Sequence, residues 1–250
     1  NERENISKIV TRLKKSLKGI NHEIIFVDDN SPDGTSDEIK LFIENNSRIN
    51  LIHRIGRRGL SGAVIEGIYA AKADLVGVMD CDLQHDESKL LDMLDLFSKS
   101  PSLDLVIGSR FTADGEISDK AFSKIREIGS KIITVIIKKI LSINSTDPLS
   151  GFFMVRKKSF LKCSDNLQTQ GFKILADFLS ISGKTIKIKE VGYKFNNRIL
   201  GESKMSFVTI LELFSLVISQ ILKGKVSIRF ILFCIVGLSG IFVQVLVTGL

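Results

Sequence analysis

Residues 23–36 read EIIFVDDNSPDGTS, and this stretch decides the fold class. Its first half is a short continuous apolar run, which is typical of a strand buried on both faces of a sheet. The run ends in two acidic residues, Asp28 and Asp29. The residues that follow have the composition of a turn, and Thr35 or Ser36 is suited to cap a helix. The stretch therefore predicts a strand, an acidic turn and a helix in succession.

The same alternation of apolar runs and helical periodicity extends along the chain on both sides of this stretch. Strands that alternate with helices form parallel sheets with helices on both faces, so we predict an α/β fold with a Rossmann-like, mainly parallel sheet. In such sheets ligands bind beyond the carboxyl ends of the strands. The pattern predicts helices over 3–18, 37–45, 61–72 and 87–98, and strands over 23–27, 50–53, 75–79, 103–107, 152–156 and 186–195.

A second acidic cluster, Asp80 and Asp82, follows the strand predicted over 75–79. Two carboxylates separated by one residue at a strand end can reach one hard cation. Mg²⁺ or Mn²⁺ takes oxygen ligands and is commonly shared with substrate phosphates. Gln84 can add a carbonyl oxygen, whereas we expect His85 to be a loop residue. The two acidic clusters are expected to lie at the same edge of the sheet.

Other proteins also carry acidic residues at strand ends. Response-regulator receivers do so, but this chain has a helix before its first strand and continues well past receiver length. Phosphatases of the haloacid dehalogenase type use Asp-x-Asp, but their pattern requires Thr or Val where this chain has Gln84. Residues 59–62 are rich in glycine but lack the spacing of a phosphate-binding loop, so we interpret them as a turn and a helix start.

The composition is basic, with a formal net charge of +7, and 44% of the residues are hydrophobic. A basic surface can serve nucleic acid, anionic lipid or phosphate-bearing substrates. Nucleic acid is not predicted as a partner, because tryptophan is absent and no basic–aromatic stacking pattern occurs. The three cysteines show neither metal-ligand spacing nor a disulfide framework, which indicates a reducing compartment.

The composition of the sequence becomes more apolar after residue 205. Residues 207–222 are apolar apart from Glu212, which predicts an amphipathic helix at a membrane interface. Residues 230–250 contain no charge and are long enough to span a bilayer, although a buried core helix is the alternative. The basic residues just before this segment favour a catalytic domain on the cytoplasmic side of the membrane.

We therefore expect a catalytic domain over 1–205, an interfacial helix over 206–225 and the start of a transmembrane domain over 226–250. The sequence begins inside a predicted helix and stops inside an apolar run. We expect it to be part of a longer protein.

Five motifs occur in order along the chain: FVDDNSPDGT (26–35), MDCDLQH (79–85), GSRF (108–111), DPLSGF (147–152) and RILGESK (198–204). Together they resemble the dolichyl-phosphate mannose synthases of glycosyltransferase family 2, over residues 1 to about 210. The tail resembles the first helix of the GtrA-like membrane domain. The dolichyl-phosphate mannose synthases open with a strand and Pro-Thr-Tyr-Asn-Glu, of which only Asn1 and Glu2 are present in this sequence. The resemblance implies that the first strand and part of the nucleotide pocket are missing from this sequence.

The resemblance implies a glycosyltransferase-A fold and a role for each motif. Arginine suits phosphate binding because its planar guanidinium can donate two parallel hydrogen bonds to the phosphate oxygens. Asp147 and Ser150 are expected near the acceptor. The implied sets are nucleotide-sugar binding by Glu2, Asp28, Asp29 and Asp80, metal binding by Asp80, Asp82 and Gln84, acceptor-phosphate binding by Arg110, Arg126, Ser130, Arg198 and Lys204, and catalysis by Asp80, Asp82, Arg110 and Arg198.

The implied reaction moves a hexose, with inversion, from a nucleotide sugar to a polyprenyl (dolichyl) phosphate in the presence of Mg²⁺ or Mn²⁺. Mannose from GDP-mannose is the leading expectation. The acceptor phosphate is already ionised near neutral pH, so the site needs cations rather than a strong base. Glucosyl transfer from UDP-glucose is the alternative within the class. A non-catalytic membrane protein that binds sugar nucleotides is the alternative outside it.

Overall fold

The computed structural model describes residues 1–57, 59–117, 145–167, 169 and 174–197, with eight single positions between 230 and 245. The helices are α1 (Arg3–Ser16), α2 (Thr35–Glu44), α3 (Leu60–Ala70), α4 (Lys89–Lys99), α5 (Lys157–Leu161) and α6 (Ile174–Ser182), with 3₁₀ turns at Ser164–Asn166 and Gly183–Thr185. The strands are β1 (Ile24–Asp28), β2 (Ile49–His53), β3 (Leu75–Val78), β4 (Leu105–Ser109), β5 (Glu116–Ile117), β6 (Phe153–Arg156), β7 (Ile188–Gly192) and β8 (Lys194–Phe195).

The predicted helices and strands of the first half are confirmed to within a few residues. The predicted cap of α2 is wrong. Gly34 occupies the N-cap position without a side-chain hydrogen bond, and its φ of 81° is one that glycine adopts at little cost. The Thr35 amide donates instead to Asp33 Oδ1 at 3.1 Å, and the Ser36 hydroxyl turns inward to Asp28.

Within the described residues the strands form one four-stranded and two two-stranded sheets, and the largest sheet is mixed, whereas the alternation of elements predicted a mainly parallel one. β1 pairs in parallel with β2, β4 with β7, and β5 with β8. The larger ladder has the order β3-β6-β4-β7, and β6 runs antiparallel to both of its neighbours. A strand that follows a short helical crossover runs parallel to its neighbour. β6 instead follows the long segment between residues 117 and 145, so this expectation does not apply to it.

The core lies on both faces of the larger ladder. On β4, Val106 packs with α1 and α4, while Leu105 and Ile107 pack with α3 and α6. β6 divides in the same way, because Met154 faces the first cluster and Val155 the second. Successive side chains on a strand point to opposite faces. This arrangement therefore covers both faces and directs ligands to the strand ends.

Within the part of the chain that the structure describes, no helix combines the length and apolar character needed to cross a bilayer. The interfacial helix predicted over 206–225 lies outside the described residues, as does most of the segment predicted over 226–250. Both stay predictions, as do the domain boundaries.

Candidate active site

Acidic residues lie at the carboxyl ends of two strands, and we call this set the acidic edge and define it by Asp28, Asp29, Asp80 and Asp82. Asp28 is the last residue of β1, and Asp80 comes two residues after β3. Glu2 lies near the loops that follow both strands, because its amide donates to the Thr35 hydroxyl at 3.0 Å and its carboxylate adds to burial in raising the pKa of the Cys81 thiol. This proximity agrees with the predicted convergence of the two acidic clusters, which stays a prediction.

Asp28 is buried and serves the loop that follows β1. Its Oδ2 accepts from the Ser31 amide at 3.1 Å and from the Ser36 hydroxyl at 2.6 Å. Burial raises the pKa of Asp28, but the hydrogen bonds from Ser31 and Ser36 outweigh burial and hold the pKa below its ordinary value. Asp28 is therefore ionised at neutral pH, and the contact with a nucleotide stays a prediction.

Asp29 is paired with Arg54, a residue that the sequence analysis did not single out. Arg54 Nη1 lies 2.6 Å from Asp29 Oδ1, and its Nε lies 3.2 Å from Glu66 Oε1. The Arg54 side chain is only 4% exposed. The Gly59 amide also donates to Asp29 Oδ2 at 2.8 Å, just before α3 begins. The predicted turn and helix start at 59–62 is thus confirmed, and the pairing of Asp29 with the buried Arg54 holds it near the end of β1.

The loop after β3 exposes one acid and buries the other. The Asp80 side chain is 41% exposed, whereas Asp82 is buried and its Oδ1 accepts from the Gln84 amide at 3.1 Å. Leu83, between Asp82 and Gln84, has a φ of 62°, a backbone conformation that is strained for a leucine. A Cβ on Gly151 would lie 2.8 Å from Asp80 Oδ2, so any side chain at this position would displace the exposed carboxylate.

Gln84 and His85 face inward from this loop. Gln84 Nε2 donates to the Asn196 carbonyl oxygen at 3.1 Å, so a metal would have to use the other atom of the amide, Oε1. His85 is 3% exposed, with Nε2 at 3.3 Å from Asp80 Oδ2 and Nδ1 at 2.9 Å from the Tyr193 hydroxyl. His85 was expected to be a loop residue. It does lie in the loop, but its ring is buried in the core.

Arg110 directly follows β4 and forms a bidentate pair with Asp147. Its Nε lies 2.7 Å from Oδ2 and its Nη2 lies 2.8 Å from Oδ1. The guanidinium also lies 5.4 Å from the ring centres of Phe111 and Phe195. Burial lowers the pKa of Arg110, but the Asp147 carboxylate outweighs burial and raises the pKa above its ordinary value. A permanent positive charge therefore stands beside the acidic edge.

Asp147 and Ser150 were expected to line the acceptor site, and both are buried. Asp147 is 0% exposed, and Arg110 occupies both of its carboxylate oxygens. Ser150 donates to the Gly108 carbonyl oxygen at 2.7 Å. The two residues lie beneath the surface and support Arg110 and β4. Glu190 fixes the same loop by accepting from the Thr146 amide and the Ser145 hydroxyl, each at 2.7 Å.

The remaining predicted phosphate-binding residues, Arg126, Ser130, Arg198 and Lys204, lie outside the described residues. Glu2 is described, and its Oε2 accepts from Asn5 Nδ2 at 2.6 Å. Across the described ranges, no group of three or more His, Cys, Asp or Glu side chains has the geometry to hold a metal ion.

The family model described as Glycosyl transferase family 2 matches residues 1–163. The chain belongs to this family. It is 37% identical to the dolichol-phosphate mannosyltransferase of Pyrococcus furiosus, over 98% of the chain and 68% of that protein. It is 32% identical to the dolichol-phosphate mannosyltransferase of Saccharomyces cerevisiae, over 84% of the chain and 80% of that protein. The family 2 chain is therefore a glycosyltransferase.

The fold of this family 2 enzyme is similar to that of glucosyl-3-phosphoglycerate synthase from Mycobacterium tuberculosis. One such structure, in complex with Mn²⁺, UDP and glucosyl-3-phosphoglycerate, has a TM-score of 0.63 at 16% identity and covers 90% of this chain and 76% of that one. At this identity the likeness shows the fold alone, and it supports the glycosyltransferase-A architecture. The GtrA-like domain stays a prediction.

Proposed function

We propose that this glycosyltransferase moves a mannosyl group, with inversion, from GDP-mannose to the phosphate of a polyprenyl or dolichyl phosphate. The observation that carries the proposal is the 37% identity to a dolichol-phosphate mannosyltransferase over 98% of the chain. Asp80 and Arg110 agree with this proposal, because an exposed carboxylate and a permanently charged guanidinium suit a reaction between two phosphate-bearing substrates.

The acceptor phosphate is bound by cations in this proposal. A phosphate monoester is largely ionised near neutral pH, so its oxygen can attack without a strong general base. Arg110 is kept charged and oriented by Asp147, a pairing that uses two of the five N–H donors of a guanidinium. A phosphate would be met by donors outside this pair. Arg126, Ser130, Arg198 and Lys204 are proposed to complete the acceptor site.

A divalent cation, Mg²⁺ or Mn²⁺, is proposed at Asp80. The described residues do not form a cage of three or more side-chain ligands. They fit instead a cation held by one or two carboxylates together with substrate phosphates, which is the usual mode for Mg²⁺. Asp80 would be the exposed ligand, with Asp82 and the Gln84 amide oxygen behind it. When bound, the ion would neutralise the diphosphate leaving group.

The nucleoside is proposed to bind at Glu2, Asp28 and Asp29. Carboxylates accept hydrogen bonds, so they suit ring N–H groups and ribose hydroxyls. Asp28 and Asp29 are both held in place by donors of the protein, Asp28 by two serines and Asp29 by Arg54. Fixed carboxylates lose less conformational entropy when a ligand binds.

The enzyme is further proposed to act at a membrane, with its catalytic domain on the cytoplasmic side. The uncharged segment 230–250 and the basic residues that precede it support this placement.

The test is transfer of labelled sugar to polyprenyl phosphate by the purified protein in detergent. GDP-mannose and UDP-glucose are offered in parallel, with Mn²⁺, with Mg²⁺ and with excess chelator. We expect lipid-linked label from GDP-mannose only when a divalent cation is present. Preferential use of UDP-glucose would contradict GDP-mannose as the donor, and full activity in chelator would contradict the metal requirement. Binding of the nucleotide sugar without transfer would favour a non-catalytic role.

A further inference from the structure

A chain of hydrogen bonds runs from the exposed carboxylate into the core. Asp80 Oδ2 lies 3.3 Å from His85 Nε2, and His85 Nδ1 lies 2.9 Å from the Tyr193 hydroxyl. The chain begins at a side chain that is 41% exposed and ends at one that is fully buried, since Tyr193 is 1% exposed. A carboxylate, an imidazole and a phenol are thus connected by two consecutive hydrogen bonds.

The chemistry of the three groups sets the direction of the hydrogen bonds. An ionised carboxylate only accepts, so His85 Nε2 must donate to Asp80. In a neutral imidazole the other nitrogen is then an acceptor, so Nδ1 accepts a hydrogen bond from the Tyr193 hydroxyl. Burial raises the pKa of Tyr193 above its ordinary value, which keeps that proton on the hydroxyl.

The imidazole is held by its packing as well as by its hydrogen bonds. His85 stacks on Phe152 with ring centres 5.2 Å apart and an interplanar angle of 26°. Phe195 meets the same ring edge-on at 5.8 Å. Rotation of the imidazole would break this packing and both hydrogen bonds, so the nitrogen that faces Asp80 has one position.

Tyr193 is also tied to the strand that carries the phosphate-binding arginine. Its backbone amide donates to the Ser109 carbonyl oxygen at 3.2 Å, and its own carbonyl oxygen accepts from the Glu116 amide at 3.1 Å. Ser109 immediately precedes Arg110. One tyrosine therefore joins the support of the Asp80 carboxylate to the support of the Arg110 guanidinium.

We propose that His85 and Tyr193 are positioning residues that hold the Asp80 carboxylate in the orientation that receives the divalent cation. This inference rests on the proposed function, in which Asp80 is the exposed metal ligand. The carboxylate is aimed by a donor behind it and needs no rearrangement when the cation arrives with the nucleotide. Partners behind a ligand of this kind typically change metal affinity or activity by about 10–100-fold when they are removed.

The first test compares Tyr193→Phe with Tyr69→Phe in the full chain. Tyr193→Phe keeps the buried ring and removes only the hydroxyl. Tyr69 is the other of the two tyrosines, and its hydroxyl contacts Ser164 at 2.7 Å, away from the acidic edge. Binding of Mn²⁺ in the presence of GDP is followed by the loss of the free-ion paramagnetic resonance signal. We expect a dissociation constant about tenfold higher for Tyr193→Phe and no change for Tyr69→Phe.

The second test replaces the imidazole in two ways. His85→Phe preserves an aromatic ring against Phe152 but removes both nitrogens, and we expect it to weaken Mn²⁺ binding by about tenfold or more. His85→Gln returns an N–H donor near the place of Nε2, and we expect it to recover part of the affinity. Recovery by glutamine separates orientation of Asp80 from simple packing, which phenylalanine would satisfy better.

The outcomes distinguish this inference from the proposed function. If the wild-type chain binds no Mn²⁺, both the metal role and this inference are overturned. If the wild-type chain binds Mn²⁺ and Tyr193→Phe and His85→Phe bind it equally well, only the positioning role is overturned. A lower melting temperature with an unchanged Mn²⁺ dissociation constant would also overturn it, because that result describes a purely structural role.

Discussion

Gln84 and Asn196 are joined by two hydrogen bonds across the acidic edge. The backbone N–H of Asn196 donates to the backbone carbonyl oxygen of Gln84 at 2.9 Å. The side-chain Nε2 of Gln84 donates to the backbone carbonyl oxygen of Asn196 at 3.1 Å. The loop that carries Asp80 is thereby fastened to the segment that leads, two residues later, to Arg198. The loop proposed to bind the metal ion is thus anchored through one glutamine to the segment that precedes Arg198.

Gln84→Glu tests whether this anchor or metal ligation dominates at that position. Glutamate keeps the shape but replaces the N–H donor with an acceptor that faces a carbonyl oxygen. We expect the free energy of unfolding to fall by about 1–3 kcal/mol, the usual cost of an unsatisfied buried group. Urea denaturation measures it. A variant of unchanged stability that binds Mn²⁺ more tightly would show instead that the side chain acts mainly as a ligand.

Arg54→Ala and Arg57→Ala form a matched pair. Both arginines contact Glu66, but the Arg54 side chain is 4% exposed and also holds Asp29, whereas that of Arg57 is 59% exposed. Removing the buried Arg54 leaves two partly exposed carboxylates, those of Asp29 and Glu66, without this partner, so we expect a loss of about 1–3 kcal/mol. Removing Arg57 should cost under about 1 kcal/mol. Equal losses in urea denaturation would contradict the structural role given to Arg54.

Gly151→Ala should affect the metal site more than the fold. A Cβ at this position would lie 2.8 Å from Asp80 Oδ2, so the partly exposed carboxylate must shift from its present position to accommodate it. We expect transfer activity to fall about tenfold or more, because a misplaced ligand weakens metal binding. Steady-state rates at several Mn²⁺ concentrations provide the measurement.

Gly67→Ala is the control for that substitution. Gly67 lies within α3, where a Cβ would meet only the Val27 side chain at 3.2 Å, and alanine is the better helix former. Its activity should stay near that of the wild type. Equal losses in the two variants would indicate a general sensitivity to added methyl groups.

Asp28 should make stability depend on pH in the acidic range. Its pKa in the folded protein lies below the ordinary value of 3.8, because the hydrogen bonds from Ser31 and Ser36 outweigh burial. A lowered pKa contributes stability above the unfolded pKa, and the contribution is lost as the pH falls from 3.8 through the folded pKa. The stability difference between wild type and Asp28→Asn should therefore be largest near neutrality and shrink in acid. Urea midpoints measured as a function of pH would show a constant difference if the carboxylate makes no such contribution.

The strands that carry the acidic edge could be predicted because their signal is local. A continuous apolar run predicts a buried strand, and the residue that ends the run lies at the carboxyl end whatever the strand pairs with. The apolar runs alone predict Asp28 and Asp80 at strand ends, independently of how the strands pair. The direction of β6 could not be predicted, because it depends on the path of a long connection rather than on the residues of Phe153–Arg156.

The sequence by itself determined which residue types stand at the strand ends, and the ordered motifs determined the family. Only the tertiary structure decided which of those residues are exposed and what holds them. Asp80 and Asp82 are two positions apart, yet one faces outward and the other is buried. Arg54, His85 and Asp147 became important through partners distant in sequence, namely Glu66, Tyr193 and Arg110. Burial and long-range pairing arise from packing between elements, and no local pattern encodes them.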